Sequence, residues 1–478
     1  MDQIVIATAG HVDHGKTTLI KTLTGVDTDT TEEEKRRGLT INLGFTYFKL
    51  PNNQRVGIVD VPGHEKFLKN MIAGLTGVDM VLLVIDANEG VMPQTIEHAS
   101  ILRLLGITNF IIVFSKVDTV DDEMLSLAIE DFKESFSYDP VLVSAPIIRT
   151  DAVSGTGIDE LITFIQNMVS KVPERVNLNT PRMNIDRTFT LKGVGTVITG
   201  TLLEGNVTQG DDLTIYPENL KVHVKQVRTY DKSTNTALVG QRAALNVNAP
   251  SKTVSRGDVI AKNGSVEITD EINVSLRTLT VEDNDLSLNT RIRFYVGSTE
   301  VLGRVFPLGT NELSSHGEYF VQIRLEKPVV VKYGDKFIIR TYSPMRTIAG
   351  GKILQIYPVT RRRFDEDVLK VLNVRKVGHL PEIISDFSDN SHDLVIDSRA
   401  IARIFNQNER NVIETIDQLV RKNKVISFAN LFLNRQRLLS YETLITDYLK
   451  DYHDKYPLRL GVTNSCLLYT SPSPRDTR

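Results

Sequence analysis

The sequence predicts a multidomain fold: a doubly wound α/β domain built around a phosphate loop, two β-barrel domains, then α/β winged-helix units. Three observations carry this. Val- and Ile-rich runs alternate with helical stretches over the first ~170 residues. Short strands punctuated by Gly turns fill the middle of the chain. Helical apolar spacing then returns after Thr360.

The runs Ile4–Ala9, Val56–Val61, Val81–Ala87 and Phe110–Lys116 are rich in Val and Ile and apolar on both alternating faces. Such runs read as parallel strands covered by helices on both faces, with ligand chemistry at their C-terminal ends. A polar, Pro-containing link spans Lys171 to Pro181. Beyond it, turns such as Glu204-Gly205-Asn206, Gln209-Gly210-Asp211 and Tyr333-Gly334-Asp335 separate short strands, and a split into two barrels is expected near Asn263–Glu271. In the last region Ile401, Ile404, Val412, Ile416 and Leu419 have helical spacing, and Asn406-x-x-Glu409 resembles a capping box. Strand-like Val425–Phe428 and Leu431–Leu433 follow, completing a winged helix, and a second such unit is expected from Tyr441. The expected domains are 1–173, 174–262, 263–358, 359–440 and 441–465, with 466–478 as a tail.

Composition narrows the function classes. The 478 residues are 41% hydrophobic and 24% charged, with a net charge of −3. Any nucleic-acid partner must therefore be met by local patches rather than by a global field. No apolar run approaches the ~20 residues of a membrane span. The N-terminus lacks the basic start of a signal peptide. The single cysteine, Cys466, excludes an intramolecular disulfide and fits a cytoplasmic location. The stretch Cys466–Asp476 reads as a sequencing-adaptor translation and is set aside, with a natural disordered tail as the alternative.

Gly10-His11-Val12-Asp13-His14-Gly15-Lys16-Thr17 matches GxxxxGK(S/T) between an expected strand and helix, and Thr18 continues it. Backbone amides in such a turn wrap phosphate oxygens at a helix N-terminus. Lys16 would place a cation on the β/γ-phosphates, and the Thr17 hydroxyl would ligate Mg²⁺. Asp60, at a strand end before Val61-Pro62-Gly63-His64, can hold the ion through water, and the Gly63 amide can approach the γ-phosphate. Ser115-Lys116-Val117-Asp118 resembles the guanine-reading NKxD of GTPases, with Ser in place of Asn. Asp118 would accept from guanine N1–H and the exocyclic amine, a donor pair adenine lacks. The Lys116 stem would lie along the base. The Ala152 amide, in Thr150-Asp151-Ala152, is the candidate for guanine O6, and Ser144-Ala145 competes for that role.

Together these residues resemble a translational GTPase. Arg36–Asn42 is similar to the first switch of the elongation factor Tu group. The resemblance implies that Thr40 senses the γ-phosphate and Mg²⁺, that His64 orients the attacking water, and that Val12 and Leu39 gate it. A histidine beside the phosphate can position water, so the residue chemistry agrees. The wider tracts Thr24–Asp29, Glu32–Phe45, Val59–Met71, Asn88–His98, Ile185–Gly205, Arg324–Arg340, Thr347–Leu354 and Tyr452–Val462 resemble the selenocysteine-specific elongation factor family. That resemblance implies a monomeric GTPase using GTP/GDP and Mg²⁺, with selenocysteinyl-tRNA, the ribosome and a selenoprotein mRNA hairpin as partners. It also places Asp186, Arg187 and Arg242 in a selenocysteinyl pocket. A selenol ionises below the ordinary thiol range, so two guanidinium groups can hold its anion where serine offers none.

Between Arg361 and Arg459 there are 17 Lys and Arg against 15 Asp and Glu, no basic platform for phosphates. This region is therefore expected to be a spacer that does not bind the hairpin tightly. Three alternatives remain: an elongation factor Tu-like or initiation-factor-like GTPase, the GTPase subunit of sulfate adenylylation, and a non-catalytic RNA-binding adaptor. The first two do not account for the winged helix, and the adaptor predicts no stimulated hydrolysis.

Overall fold

The computed structural model describes all residues except 1–3, 30, 38–39, 65–66, 76, 173–177, 192, 194, 230–231, 251, 283–284, 359–362, 392–394 and 463–478. Leu39 and the tail from Cys466 therefore lie outside the described residues. The chain forms two compact units, 1–365 and 366–478.

The first unit opens with the α/β domain. Its elements are β1 (Ile4–Ala9), α1 (Lys16–Thr24), α2 (Glu32–Arg37), β2 (Gly44–Lys49), β3 (Arg55–Asp60), α3 (Leu68–Leu75), β4 (Met80–Asp86), α4 (Pro93–Leu104), β5 (Phe110–Ser115), α5 (Asp122–Ser135), the short α6 (Pro140–Val143), β6 (Ile147–Arg149) and α7 (Ile158–Val169). Strand order is β2-β3-β1-β4-β5-β6. All neighbours are parallel except β2, which runs antiparallel to β3 at the edge. Side chains alternate across the sheet as strand geometry requires. Ile4 and Ile6 pack with Leu19, Ile20, Leu161 and Ile165, while Val5 and Ala7 face Met71, Ile72, Leu102 and Phe132. The four expected strands are present within one residue, but β2 and β6 were not anticipated. β2 alternates buried and half-buried residues as an edge strand does, and β6 has only three residues, too few for a pattern.

The second domain contains β7 (Arg182–Asn184), β8 (Arg187–Leu191), β9 (Gly195–Glu204), β10 (Val207–Thr208), β11 (Asp212–Tyr216), β12 (Leu220–Thr229), β13 (Lys232–Thr234), β14 (Thr236–Ala237), β15 (Arg242–Val247) and β16 (Val259–Ala261). Pairing of β11 with β12 closes β11-β16-β7-β9-β15-β12 into a ring. The third domain is the closed barrel of β17 (Glu267–Thr278), β18 (Arg291–Val296), β19 (Thr299–Leu308), β20 (Glu318–Val331), β21 (Lys336–Thr341) and β22 (Thr347–Ile356), in order β17-β20-β19-β18-β21-β22. The last strand of the second domain ends at Ala261 and the first of the third begins at Glu267.

The second unit contains α8 (Glu366–Val377), α9 (Leu380–Asn390), β23 (Ile396–Asp397), α10 (Ser398–Ile404), α11 (Glu409–Arg421), β24 (Val425–Phe428), β25 (Leu431–Asn434) and α12 (Arg435–Lys455). Helices followed by a small antiparallel sheet give the expected winged helix. Two details differ. Asn408, not Asn406, caps α11: its side chain accepts from the Arg410 amide, while Asn406 takes a left-handed turn. Helix α12 also runs unbroken through Tyr441, where a new unit was expected to begin. The segment Arg435–Lys455 contains no Gly or Pro to interrupt it and is rich in the helix formers Leu, Lys, Arg, Glu and Gln.

The barrels are joined by a buried ion network. Arg182 on β7 makes two 2.7 Å bonds to Asp335 and pairs with Glu204 at 2.8 Å, and Lys332 meets Glu204 at 2.5 Å. Burial opposes the Arg182 charge, but the two carboxylates outweigh it and raise its affinity for the proton. Removing one member of such a network leaves a charge uncompensated. Arg182→Ala is expected to destabilise the barrel pair by about 3–5 kcal/mol in urea denaturation.

Candidate guanine-nucleotide site and barrel seam

The turn from Gly10 to Lys16 leaves β1 at the centre of the sheet and enters α1. Gly10 has φ 133°, and a Cβ there would stand 2.1 Å from the Val84 carbonyl oxygen, so only glycine fits. The turn lines a cavity of about 350 Å³ with Thr17, Thr18, Lys21, Asp27, Asp29, Thr40 and Gly63. Lys16 is buried and its ammonium donates to the His11 carbonyl. Burial pushes its pKa down to about 8, against the carboxylates of Asp60, Asp13 and Asp29. Gly63 approaches closely: a Cβ there would lie 2.7 Å from Lys16 Nζ. The structure thus brings Lys16, Thr17, Thr40 and Gly63 to one cavity. The His64 ring is not part of that lining and packs on Phe67, 5.9 Å between centroids.

Oxygen donors converge beside Lys16. Fully buried Asp60 accepts from Thr17 at 2.8 Å, Thr28 at 2.6 Å and Thr8 at 2.9 Å. The Thr17 and Thr40 hydroxyls are 3.0 Å apart, and Thr40 donates to Asp29 at 2.8 Å. Burial raises the proton affinity of both Asp60 and Asp29. Two hydroxyls and a carboxylate are hard oxygen ligands, so these residues fit Mg²⁺.

Behind the loop, His98 accepts from the Gly10 amide at 3.3 Å, and burial drives its pKa down to about 3. His14 accepts from the Asp86 amide at 3.1 Å, which leaves its other ring nitrogen to donate to Glu89 at 3.2 Å. Neither histidine is spare: both hold the loop against the sheet.

A second cavity, about 460 Å³, adjoins the first and is lined by Ser115, Lys116, Asp118, Thr150, Asp151 and Ala152. Lys116 takes a left-handed backbone and pairs with Asp86 at 2.6 Å. Ser115 Oγ donates to the His14 carbonyl at 2.7 Å, so the short hydroxyl ties this loop to the phosphate turn where Asn was expected. Asp151 accepts from the Val153 and Ser154 amides at 2.8 and 2.9 Å and shapes the turn that presents Ala152. Thr156 donates to Asp118 at 3.2 Å. Ser144-Ala145, the competing segment, follows α6 and lies outside this lining.

A third cavity, about 420 Å³, lies where β2 and β3 face the second domain, and Arg187 and Arg242 line it. Asp186 holds Arg242 through both terminal guanidinium nitrogens and also accepts from Thr199 at 2.8 Å. The Arg242 guanidinium stacks on the Phe45 ring, 3.5 Å from its centroid. Arg187 donates to the Leu43 carbonyl at 2.8 Å, and burial, then the neighbouring Arg242, lowers its proton affinity.

Sequence reasoning missed several of these partners. Asp29, Thr28 and Phe45 fall in quoted tracts but carry no motif of their own. Glu34 organises the first switch: burial opposes its charge, but hydrogen bonds from the Asn42, Thr31 and Ile41 amides and the Thr31 hydroxyl hold its pKa below the usual range. Thr31-x-x-Glu34 is a capping box, with the Thr31 amide donating to Glu34 and the Glu34 amide to the Thr31 hydroxyl, a signal the sequence carried; the Ile41 and Asn42 amides have no such spacing.

Fold and cavities together define a translation-factor GTPase. The first 171 residues match the elongation factor Tu GTP-binding domain and residues 195–261 match elongation factor Tu domain 2. Residues 269–360 match the β-barrel domain of selenocysteine-specific elongation factors. The chain belongs to the selenocysteine-specific elongation factor family. It is 34% identical over 471 residues to that factor from Desulfomicrobium baculatum, covering 97% of this chain and 74% of the relative. The Haemophilus influenzae factor is 32% identical over 469 residues, covering 97% and 72%. A crystal structure of a bacterial selenocysteine-specific elongation factor superposes with a TM-score of 0.82 at 28% identity, covering 98% of this chain and 75% of that one. No helix among the described residues is long and apolar enough to cross a membrane.

The buried imidazole of His98 sets a pH dependence. Its folded pKa lies below the unfolded value, so the unfolded chain binds the extra proton. The neutral-His contribution is complete above pH ~6.5 and is lost as pH falls from there toward 3, by up to about 1.4 kcal/mol per unit. His98→Gln should flatten the acid limb of thermal melts recorded between pH 7 and 4.

Proposed function

We propose that this GTPase delivers selenocysteinyl-tRNA to the ribosome at recoded UGA codons. The observation that carries the reading is the pair Arg187 and Arg242 at the seam cavity, with Asp186 fixing one fork. A selenolate is an anion near neutral pH and a seryl hydroxyl is not, so this pair favours the former. A guanidinium held bidentately by a carboxylate is preorganised and loses little entropy on binding.

In the GTP site the loop amides and Lys16 cradle the β/γ-phosphates, and Asp118 with Ala152 selects guanine. Thr17, Thr40 and Asp60 would hold Mg²⁺, which would neutralise charge on the phosphate oxygens. Thr40 closes the first switch over the phosphates. His64 stands beside Gly63, outside the phosphate cavity, so its role as the water-orienting group requires an inward turn. Codon recognition on the ribosome supplies that turn, which keeps hydrolysis slow until delivery.

The segment 40–45 links chemistry to cargo. Thr40 belongs to the oxygen cluster, the Leu43 carbonyl accepts from Arg187, and Phe45 lies under Arg242. Loss of the γ-phosphate frees Thr40 and so loosens both arginines from one side. The winged-helix region has a near-balanced charge count and serves as a spacer rather than as a tight hairpin-binding platform.

Protection of the aminoacyl ester against hydrolysis tests the reading. With a GTP analogue, selenocysteinyl-tRNA should be protected at least tenfold better than seryl-tRNA, about 1.4 kcal/mol of discrimination. Arg242→Ala should abolish most of that difference. Equal protection of the two esters by the unsubstituted protein would contradict it.

A further inference from the structure

Helix α3 follows the loop of Gly63 and His64 and carries Lys69 and Asn70 side by side. The Asn70 side chain is engaged at both ends. Its Nδ2 donates to the Ile41 carbonyl in the first switch at 3.1 Å. Its Oδ1 accepts from Arg256 of the second domain at 2.6 Å, and Arg256 also reaches the Lys69 carbonyl at 3.5 Å. A carbonyl can only accept and a guanidinium can only donate, so one amide orientation alone satisfies both. Ile41 is one residue from Thr40 of the oxygen cluster and two from Leu43, the acceptor of Arg187. Arg256 in turn lies close enough to Asp186 to feel its charge. Lys69 pairs with Glu300 of the third domain at 2.9 Å, so α3 touches both barrels through adjacent residues.

We propose that Asn70 is the positioning residue that couples the nucleotide state to the seam pocket, by holding the Ile41 carbonyl and Arg256 together. The inference rests on the delivery reading above and adds a residue that no motif marks. The segment 40–45 meets the second domain at three places, Arg187 on Leu43, Arg242 on Phe45 and Arg256 through Asn70. Only the last passes through α3, the helix that follows the Gly63–His64 loop. Asn70 therefore senses the first switch and the helix after the Gly63–His64 loop at once: a shift of α3 or of Ile41 breaks the bridge and releases Arg256. Aspartate at this position would keep the acceptor for Arg256 but lose the donor to Ile41, and would set a carboxylate against a carbonyl.

The test measures selenocysteinyl-tRNA affinity with a GTP analogue and with GDP, for the unsubstituted protein, Asn70→Ala, Asn70→Asp, Arg256→Ala and the Asn70→Ala/Arg256→Ala pair. One-to-one guanine-nucleotide binding serves as the check on folding. The affinity ratio between the two nucleotide states is expected to shrink about fivefold in each single variant, the low end of coupling between sites because Arg256 faces solvent. The double variant should lose no more than either single one, since both remove the same bridge. Equal losses in both nucleotide states, with the ratio intact, would overturn the proposal and mark Asn70 as a direct tRNA contact or a structural residue. A ratio of one in the unsubstituted protein would overturn the delivery reading itself, and the coupling with it.

Discussion

The buried carboxylate of Asp60 organises the chemistry of this protein. It ends β3 with no exposure to solvent, and hydroxyls from the first strand, the phosphate-loop helix and the segment before the first switch all point into it. A charge buried this deeply is costly unless hydrogen-bonded and paired. Three threonine donors and nearby Lys16 meet part of that cost, and a divalent cation would meet the rest. The same requirement draws Thr17 and Thr40 together, so the first switch is registered against the phosphate loop.

From that point the structure transmits position rather than charge. The chain needs only five residues from Thr40 to reach Phe45, whose ring lies beneath Arg242. Because β2 is antiparallel to β3, the strand that ends in Asp60 also sets the register of Phe45, which pairs with Val59. A change at the phosphate cavity and a change at the seam are therefore two ends of one short hairpin. The buried Arg182 network holds the barrels to each other, so the second and third domains respond as one body.

Much of this was legible in the residues. Continuous apolar runs located four of the six strands, because parallel strands covered on both faces leave no polar alternation. The phosphate loop was legible because its glycines, lysine and threonine each have a separate physical duty at fixed spacing. The edge strands were not, since β2 alternates weakly and β6 is three residues long. The cap at Asn408 was misplaced by two residues, as Asn406 and Asn408 offer the same side chain and only backbone conformation separates them. Ser115 stands where the guanine-reading pattern has Asn, and its hydroxyl reaches the His14 carbonyl, a matter of backbone approach that spacing cannot express. Asp29, Phe45 and Asn70 act through partners distant in sequence, and no local pattern points to them.

The central claim is that the Thr17 and Thr40 hydroxyls and the Asp60 carboxylate form one cation site over which a guanine triphosphate lies. A crystal structure with a non-hydrolysable GTP analogue and Mn²⁺ in place of Mg²⁺ tests it most directly. Anomalous scattering should place one Mn²⁺ within about 2.3 Å of both hydroxyl oxygens, with Asp60 joined through water and guanine against Asp118. A Mn²⁺ peak with Thr40 turned away, or a phosphate cavity without the analogue, would contradict it.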